Sequence, residues 1–261
     1  MINIDKAIRS FEKYVSNYNL NDSSIHLKVV HTYEVIEIMK KLCFWLRLNE
    51  EDTQIALLIA LLHDIGRFEQ YTIYQSFEDY KTVDHALFSS KLLFKEGLIR
   101  KFIDTNIYDD IIRVAIEQHN KYKIDEDIDE KSLLFVHLIR DADKLDNFRV
   151  KETETIETLF KISQEELEKE VITDCIYKQF KDKKLIYGPS RITHLDMWLS
   201  YIAFIYDLYF KESFVYIYEN DWINRSFNRI TPIGKETNKQ YNELRIIIHQ
   251  YVREVLEYGK V

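Results

Sequence analysis

An unbroken apolar run from Ile55 to Leu62 stops abruptly at His63-Asp64-Ile65-Gly66-Arg67. The run reads as a helix whose start Thr53 or Asp52 can cap and whose end Gly66 suits. His63 and Asp64 then fall in a last helical turn buried on most sides. Two polar, metal-competent side chains in such a place are costly unless something pairs with them, and a divalent metal is the economical partner.

The same pattern recurs along the chain. A short amphipathic helix is expected over residues 3–18, with Ile4, Ile8, Phe11 and Val15 three or four apart. A cap cluster, Asn21 to Ser24, precedes a long helix from about Ile25 to Leu46, where Leu27, His31, Val35, Ile38 and Leu42 form one stripe. His31 thus interrupts an apolar inward face. Tyr-rich, acidic residues 68–83 read as a surface loop with short helical turns, a possible lid. Asp84 caps the next expected helix, His85 to about Phe94, with His85, Phe88 and Leu92 on one face. A helix from about Asp110 to Tyr122 carries Ile112, Ala115, Ile116 and His119 on one stripe. Asp129 and Ser132 precede another, running through Asp146, where Val136, Ile139 and Asp143 line up.

Five helices therefore deliver His31, His63 with Asp64, His85, His119 and Asp143 to the inner edges of apolar stripes. Singly, each reads as a satisfied core residue or a cap; together they point to a metal centre. Imidazole and carboxylate suit first-row transition metals, whereas calcium wants more oxygens. His63 and Asp64 can converge on one ion, or Asp64 can bridge two.

Beyond this stretch, residues 151–188 are highly charged and read as solvated helix, Gly188-Pro189 punctuates the chain, and 191–210 and 241–256 are again helical in pattern. Five Gly and two Pro in 261 residues leave little room for tight turns and predict an all-α chain. With 46% hydrophobic residues a sizeable core is available. A net charge of −8 with interspersed cations argues against a nucleic-acid scaffold. No apolar run approaches a membrane span and no signal-peptide stretch opens the chain, so a cytoplasmic protein with reduced Cys43 and Cys175 is expected. His26, His137, His194 and His249 are expected to be structural.

His31, then Leu61-Leu62-His63-Asp64-Ile65-Gly66-Arg67, then Ala142-Asp143-Lys144-Leu145 resemble the motifs of the HD-domain metal-dependent phosphohydrolases, over roughly residues 25–150. The resemblance implies an HD-domain helical bundle. Residues 1–150 would form the metal-bearing core and 151–261 a helical extension packed on it. Members with two extra histidines before the last aspartate hold two metals, and His85 and His119 match those two. Some members have paired histidines where this chain has His119-Asn120, so a water can replace one ligand there. The expected ligands are His31, His63, Asp64, His85, His119 and Asp143, holding two ions of Mn, Fe, Ni, Co or Zn. Such a pair clamps a phosphate and acidifies a water. Arg67 and Lys144 are the expected phosphate-binding and catalytic cations, with Asp64 catalytic between the metals. The expected substrate is a small phosphomonoester or a nucleotide. Alternatives are a di-iron oxygenase of the HD fold, of the myo-inositol oxygenase type, and a nucleotide-binding sensor without turnover.

Overall fold

A computed structural model describes residues 2–259. The chain is all-α, with no strand among the described residues. It divides into two compact units, Met1–Asp143 and Lys144–Val261, with the division inside one long helix.

The first unit holds α1 (Ile4–Val15), α2 (Ser23–Trp45), α3 (Glu50–Leu62), α4 (Gly66–Tyr74), α5 (His85–Ser90), α6 (Asp109–Gln118) and most of α7 (Glu130–Thr153). Polar residues start these helices. Asn3, Asp22, Asn49, Asp84 and Asp129 each accept a backbone N–H of their helix's first turn. The cap of α3 is thus Asn49, three residues ahead of Asp52, which is free to pair with Lys131.

The centre of the unit is α3. Every residue from Ile55 to Leu62 is buried, and the helix packs against α1, α2 and α6. A helix apolar on all sides can only be a core helix at this length. His31, Val35, Ile38 and Leu42 are buried along α2 as their spacing predicts, and Ile112, Ala115, Ile116 and His119 likewise along and just past α6.

Three local expectations need correction. Residues 68–83 are not mainly loop: α4 extends to Tyr74 and ends at Gln75 in the left-handed conformation, after which a 3-10 turn, Asp79–Lys81, follows. Past α5, one π-helical turn over Lys91–Lys95 adds a residue to the repeat, so Leu93 is buried where the regular spacing pointed to Leu92. Gly66, finally, opens α4 and does not terminate α3. Its missing side chain is required by proximity: a Cβ there would lie 2.8 Å from the Ser89 backbone N and Oγ. The Gly66 N–H donates to that Oγ at 2.9 Å.

The second unit contains the rest of α7, then α8 (Ile156–Phe160), α9 (Gln164–Lys169), α10 (Asp174–Lys181), α11 (His194–Ile202), α12 (Lys211–Glu219), α13 (Trp222–Asn228) and α14 (Lys235–Tyr258). Helix α14 packs against α10, α12 and α13. No helix of the described residues is long and apolar enough to cross a membrane.

Gly66→Ala should destabilise the protein by about 1–3 kcal/mol, the usual cost of overpacking. Urea unfolding followed by circular dichroism measures it. An unchanged midpoint contradicts the tight approach of α4 to α5.

Candidate metal centre

Asp64 sits between α3 and α4 with 4% of its side chain exposed. Around it stand His31 from α2, His63 closing α3, His85 opening α5 and His119 closing α6. Oδ2 lies 3.8 Å from His31 Nε2 and 3.9 Å from His63 Nε2. Oδ1 lies 3.4 Å from His85 Nε2 and 3.8 Å from His119 Nε2. Asp143, from α7, approaches His31 Nε2 to 3.2 Å. All six residues expected from the sequence as ligands are thus brought together. Three sets can each hold a metal ion: His31–His63–Asp64 and Asp64–His85–His119, which share Asp64, and the more exposed Asp79–Asp84–His85.

Helix ends set the tautomers. The final carbonyls of an α-helix lack intrahelical donors. His63 Nδ1 donates to the Ala60 carbonyl at 2.8 Å, and His119 Nδ1 to the Ile116 carbonyl at 2.6 Å. Both rings therefore satisfy a carbonyl three residues back and turn a bare Nε2 inward. His85 Nδ1 donates to Asp79 at 2.5 Å, with the same result. The bare nitrogens of His85 and His119 then face each other 3.0 Å apart. Two lone pairs so placed repel unless a cation lies between them. Ligands about 2.0–2.1 Å from one ion, at right angles, stand roughly 3 Å apart. His63 Nε2 and Asp64 Oδ1 are buried and make no hydrogen bond. Such orphaned acceptors are expensive in a dry interior, and the donor set fits a divalent transition metal.

The protonation states agree. Burial lowers the His63 pKa to about 4, with His119 and His31 acting the same way against Asp64 and Asp143. Burial and then the Arg67 cation lower His85 to about 4. Burial pushes Asp64 up, but Lys28, His63, His119 and Arg67 outweigh it and hold the carboxyl well below its usual range. Asp143 is likewise held down by His31, His63 and His119 against burial. Metal ligands need this pattern of neutral imidazoles and ionised carboxylates.

The two expected cations are placed differently. Arg67 is half-buried, and its Nε comes within 3.6 Å of Asp64 Oδ1. Its Nη1 donates to Gln70 Oε1, the Phe77 carbonyl and Asp79 Oδ1 at 2.7–2.8 Å. Lys144 is buried and pairs with Asp207 at 3.0 Å, within the second unit. Sequence reasoning missed Lys28, whose Nζ lies 2.8 Å from Asp64 Oδ2. Its position three residues before His31, on the same helical face, was the available signal. It also missed Asp79, which no periodicity marks, and Arg140, buried on α7. Arg140 donates to the carbonyls of Gln118, His119 and Lys121, tying the end of α6 to α7. Of the remaining histidines, His26 is exposed, His194 bonds Glu170 and His249 bonds Asn224.

Comparison with known proteins adds one match. Residues 29–147 match the family model described as HD domain. No curated protein and no solved structure matches the chain.

His63 and His85 stay neutral in the folded state down to about pH 4, whereas the unfolded chain protonates them near 6.5. The unfolded state therefore binds more protons between these values, and stability falls as pH falls. Below about pH 4 the depressed carboxyls of Asp64 and Asp143 extend the loss. Chelator-treated protein should lose unfolding free energy steadily from pH 6.5 downward; a flat profile between 6.5 and 4 contradicts these environments.

Proposed function

Residues 29–147 match the HD-domain family model, and from that premise we propose that this chain is a metal-dependent phosphohydrolase that hydrolyses a small phosphomonoester or a nucleotide at a dinuclear metal centre. The observation that carries the reading is the pair of bare nitrogens, His85 Nε2 and His119 Nε2, 3.0 Å apart beside an Asp64 oxygen that has no hydrogen bond. Four ligands for one ion, His31, His63, Asp64 and Asp143, leave His85 and His119 unexplained; a second ion sharing Asp64 accounts for both.

Divalent ions bound there would polarise a phosphoryl oxygen and acidify a water at neutral pH. The protein's own residues supply the rest. His31, His63, Asp64 Oδ2 and Asp143 would hold one ion, and Asp64 Oδ1, His85 and His119 the other. Phosphoryl transfer needs positive charge on the non-bridging oxygens. Lys28 and Arg67 approach opposite oxygens of Asp64 and can meet a phosphate beside it. The same role for Lys144 requires its pair with Asp207 to open.

Protein loaded with manganese or iron should bind about two ions per chain, and His85→Ala or His119→Ala about one, with phosphate release strongly impaired. At metal concentrations that fill both sites, Arg67→Ala and Lys28→Ala should still hold two ions and lower turnover about 100- to 1,000-fold, the usual effect of losing a positioned charge. Metal analysis and a phosphate-release panel over nucleotides and sugar phosphates check both. The reading fails if the fully loaded protein releases no phosphate from any of them, or if it instead consumes oxygen at a reducible iron pair.

A further inference from the structure

The segment between α4 and α5 contributes a carboxylate to the centre without contributing a ligand. Asp79 stands in the 3-10 turn Asp79–Lys81, six residues before His85. Its Oδ2 lies 2.5 Å from His85 Nδ1. Oxygen and nitrogen ligands of one ion stand roughly 3 Å apart or more. A separation of 2.5 Å is therefore bridged by a proton, which leaves His85 only Nε2 to offer a metal. The other Asp79 oxygen is held from two sides, by Arg67 Nη1 at 2.7 Å and by Gln70 Nε2 at 3.1 Å.

Gln70 explains why a turn outside any long helix can hold a carboxylate so firmly. It is fully buried on α4, and its amide also donates to Thr82 Oγ1 and to the Val83 carbonyl, at 2.8 and 3.1 Å. One buried side chain thus grips three points along residues 79–83. Arg67 adds the Phe77 carbonyl at 2.8 Å. The segment is fastened to α4 on the side that faces His85.

The geometry points to Asp79 as a positioning residue for the His85–His119 half of the centre: it keeps the proton of His85 on Nδ1 and aims Nε2 at His119 and Asp64. This assignment rests on the dinuclear reading above. It gives Arg67 a second task, since the guanidinium that borders Asp64 also fixes the carboxylate behind His85. The carboxylate–histidine–metal arrangement raises ligand basicity, and removing such a partner typically weakens metal binding about 10- to 100-fold.

Cobalt(II) titrated into metal-free protein, followed by visible absorption and by metal analysis after dialysis, tests this. In the wild type two ions should bind. In Asp79→Asn the second ion should bind about 10- to 100-fold more weakly and its absorption band should shift, while the first ion is unaffected. Asp79→Glu, which restores a carboxylate, should recover part of the loss. Asp84→Ala is the control: Asp84 caps α5 through Leu87 N and accepts from Asn120 Nδ2, which also lies 3.5 Å from His85 Nδ1, so its removal disturbs the same helix start while leaving the Asp79–His85 contact itself in place. Second-ion affinity should survive in it better than in Asp79→Asn. Wild-type protein with two ions, the second indifferent to Asp79→Asn, overturns the Asp79 assignment alone. Equal weakening of both ions, or an equal effect of Asp84→Ala, also overturns it by reducing Asp79 to a prop for the fold. Wild-type protein that binds a single ion overturns the metal pair and the assignment together.

Discussion

A buried aspartate among four imidazoles is the constraint to which the first unit answers. Asp64 is ionised, nearly inaccessible, and has Lys28 against one oxygen and Arg67 near the other. An ionised carboxylate in a dry interior is tolerated only with compensating charge and hydrogen bonds. Here the two cations supply part of that compensation, and Oδ1 still lacks a hydrogen-bond donor. The remaining deficit, together with the bare nitrogens around it, gives the site its affinity for further positive charge. A fold that buries Asp64 without such charge stores strain at its centre; one that binds divalent ions there relieves it.

Helix termini provide the geometry. His63 and His119 close α3 and α6, and each uses Nδ1 to satisfy the carbonyl three residues before it. The device does two things at once, giving a carbonyl at the helix end a side-chain donor and fixing which nitrogen carries the proton. The imidazoles form a continuous edge-to-face row, with centroids 5.5 Å apart for His31–His63, 5.2 Å for His63–His119 and 4.9 Å for His85–His119. Rows of this kind hold position because the surrounding helices are tied to one another. Arg140 clasps the last carbonyls of α6 from α7, and Ser89 of α5 meets the backbone of Gly66.

Much of this arrangement was legible in the sequence because it was written in helical periodicity. His31, His119 and Asp143 continue apolar stripes, and His63-Asp64 ends an apolar run, so their inward placement followed from spacing, and their convergence from the set taken together and from its resemblance to the HD-domain motifs. What periodicity does not encode stayed hidden. Asp79 lies in a turn, where no repeat marks one carboxylate among several. Gln70 carries its information in burial, and only the packed structure reveals that its amide fastens residues 79–83. The π-helical turn after α5 changes the register locally, so Leu93 replaces Leu92 in the core without any departure in composition. Gly66 was legible as a special position, but for the wrong reason: contact with Ser89, not a left-handed end to α3, excludes a side chain there. Lys144 illustrates the limit of adjacency. It follows Asp143 in sequence, yet its ammonium is held by Asp207.

The central claim is that Asp64 is shared between two metal ions. The most direct measurement is anomalous diffraction from crystals grown with manganese, recorded at an energy where manganese scatters anomalously. The account predicts two peaks about 3.5–4 Å apart, one within coordination distance of His31, His63 and Asp143, the other of His85 and His119, with one Asp64 oxygen directed at each. A single peak, or a second peak that leaves His85 and His119 without a ligand bond, would contradict it.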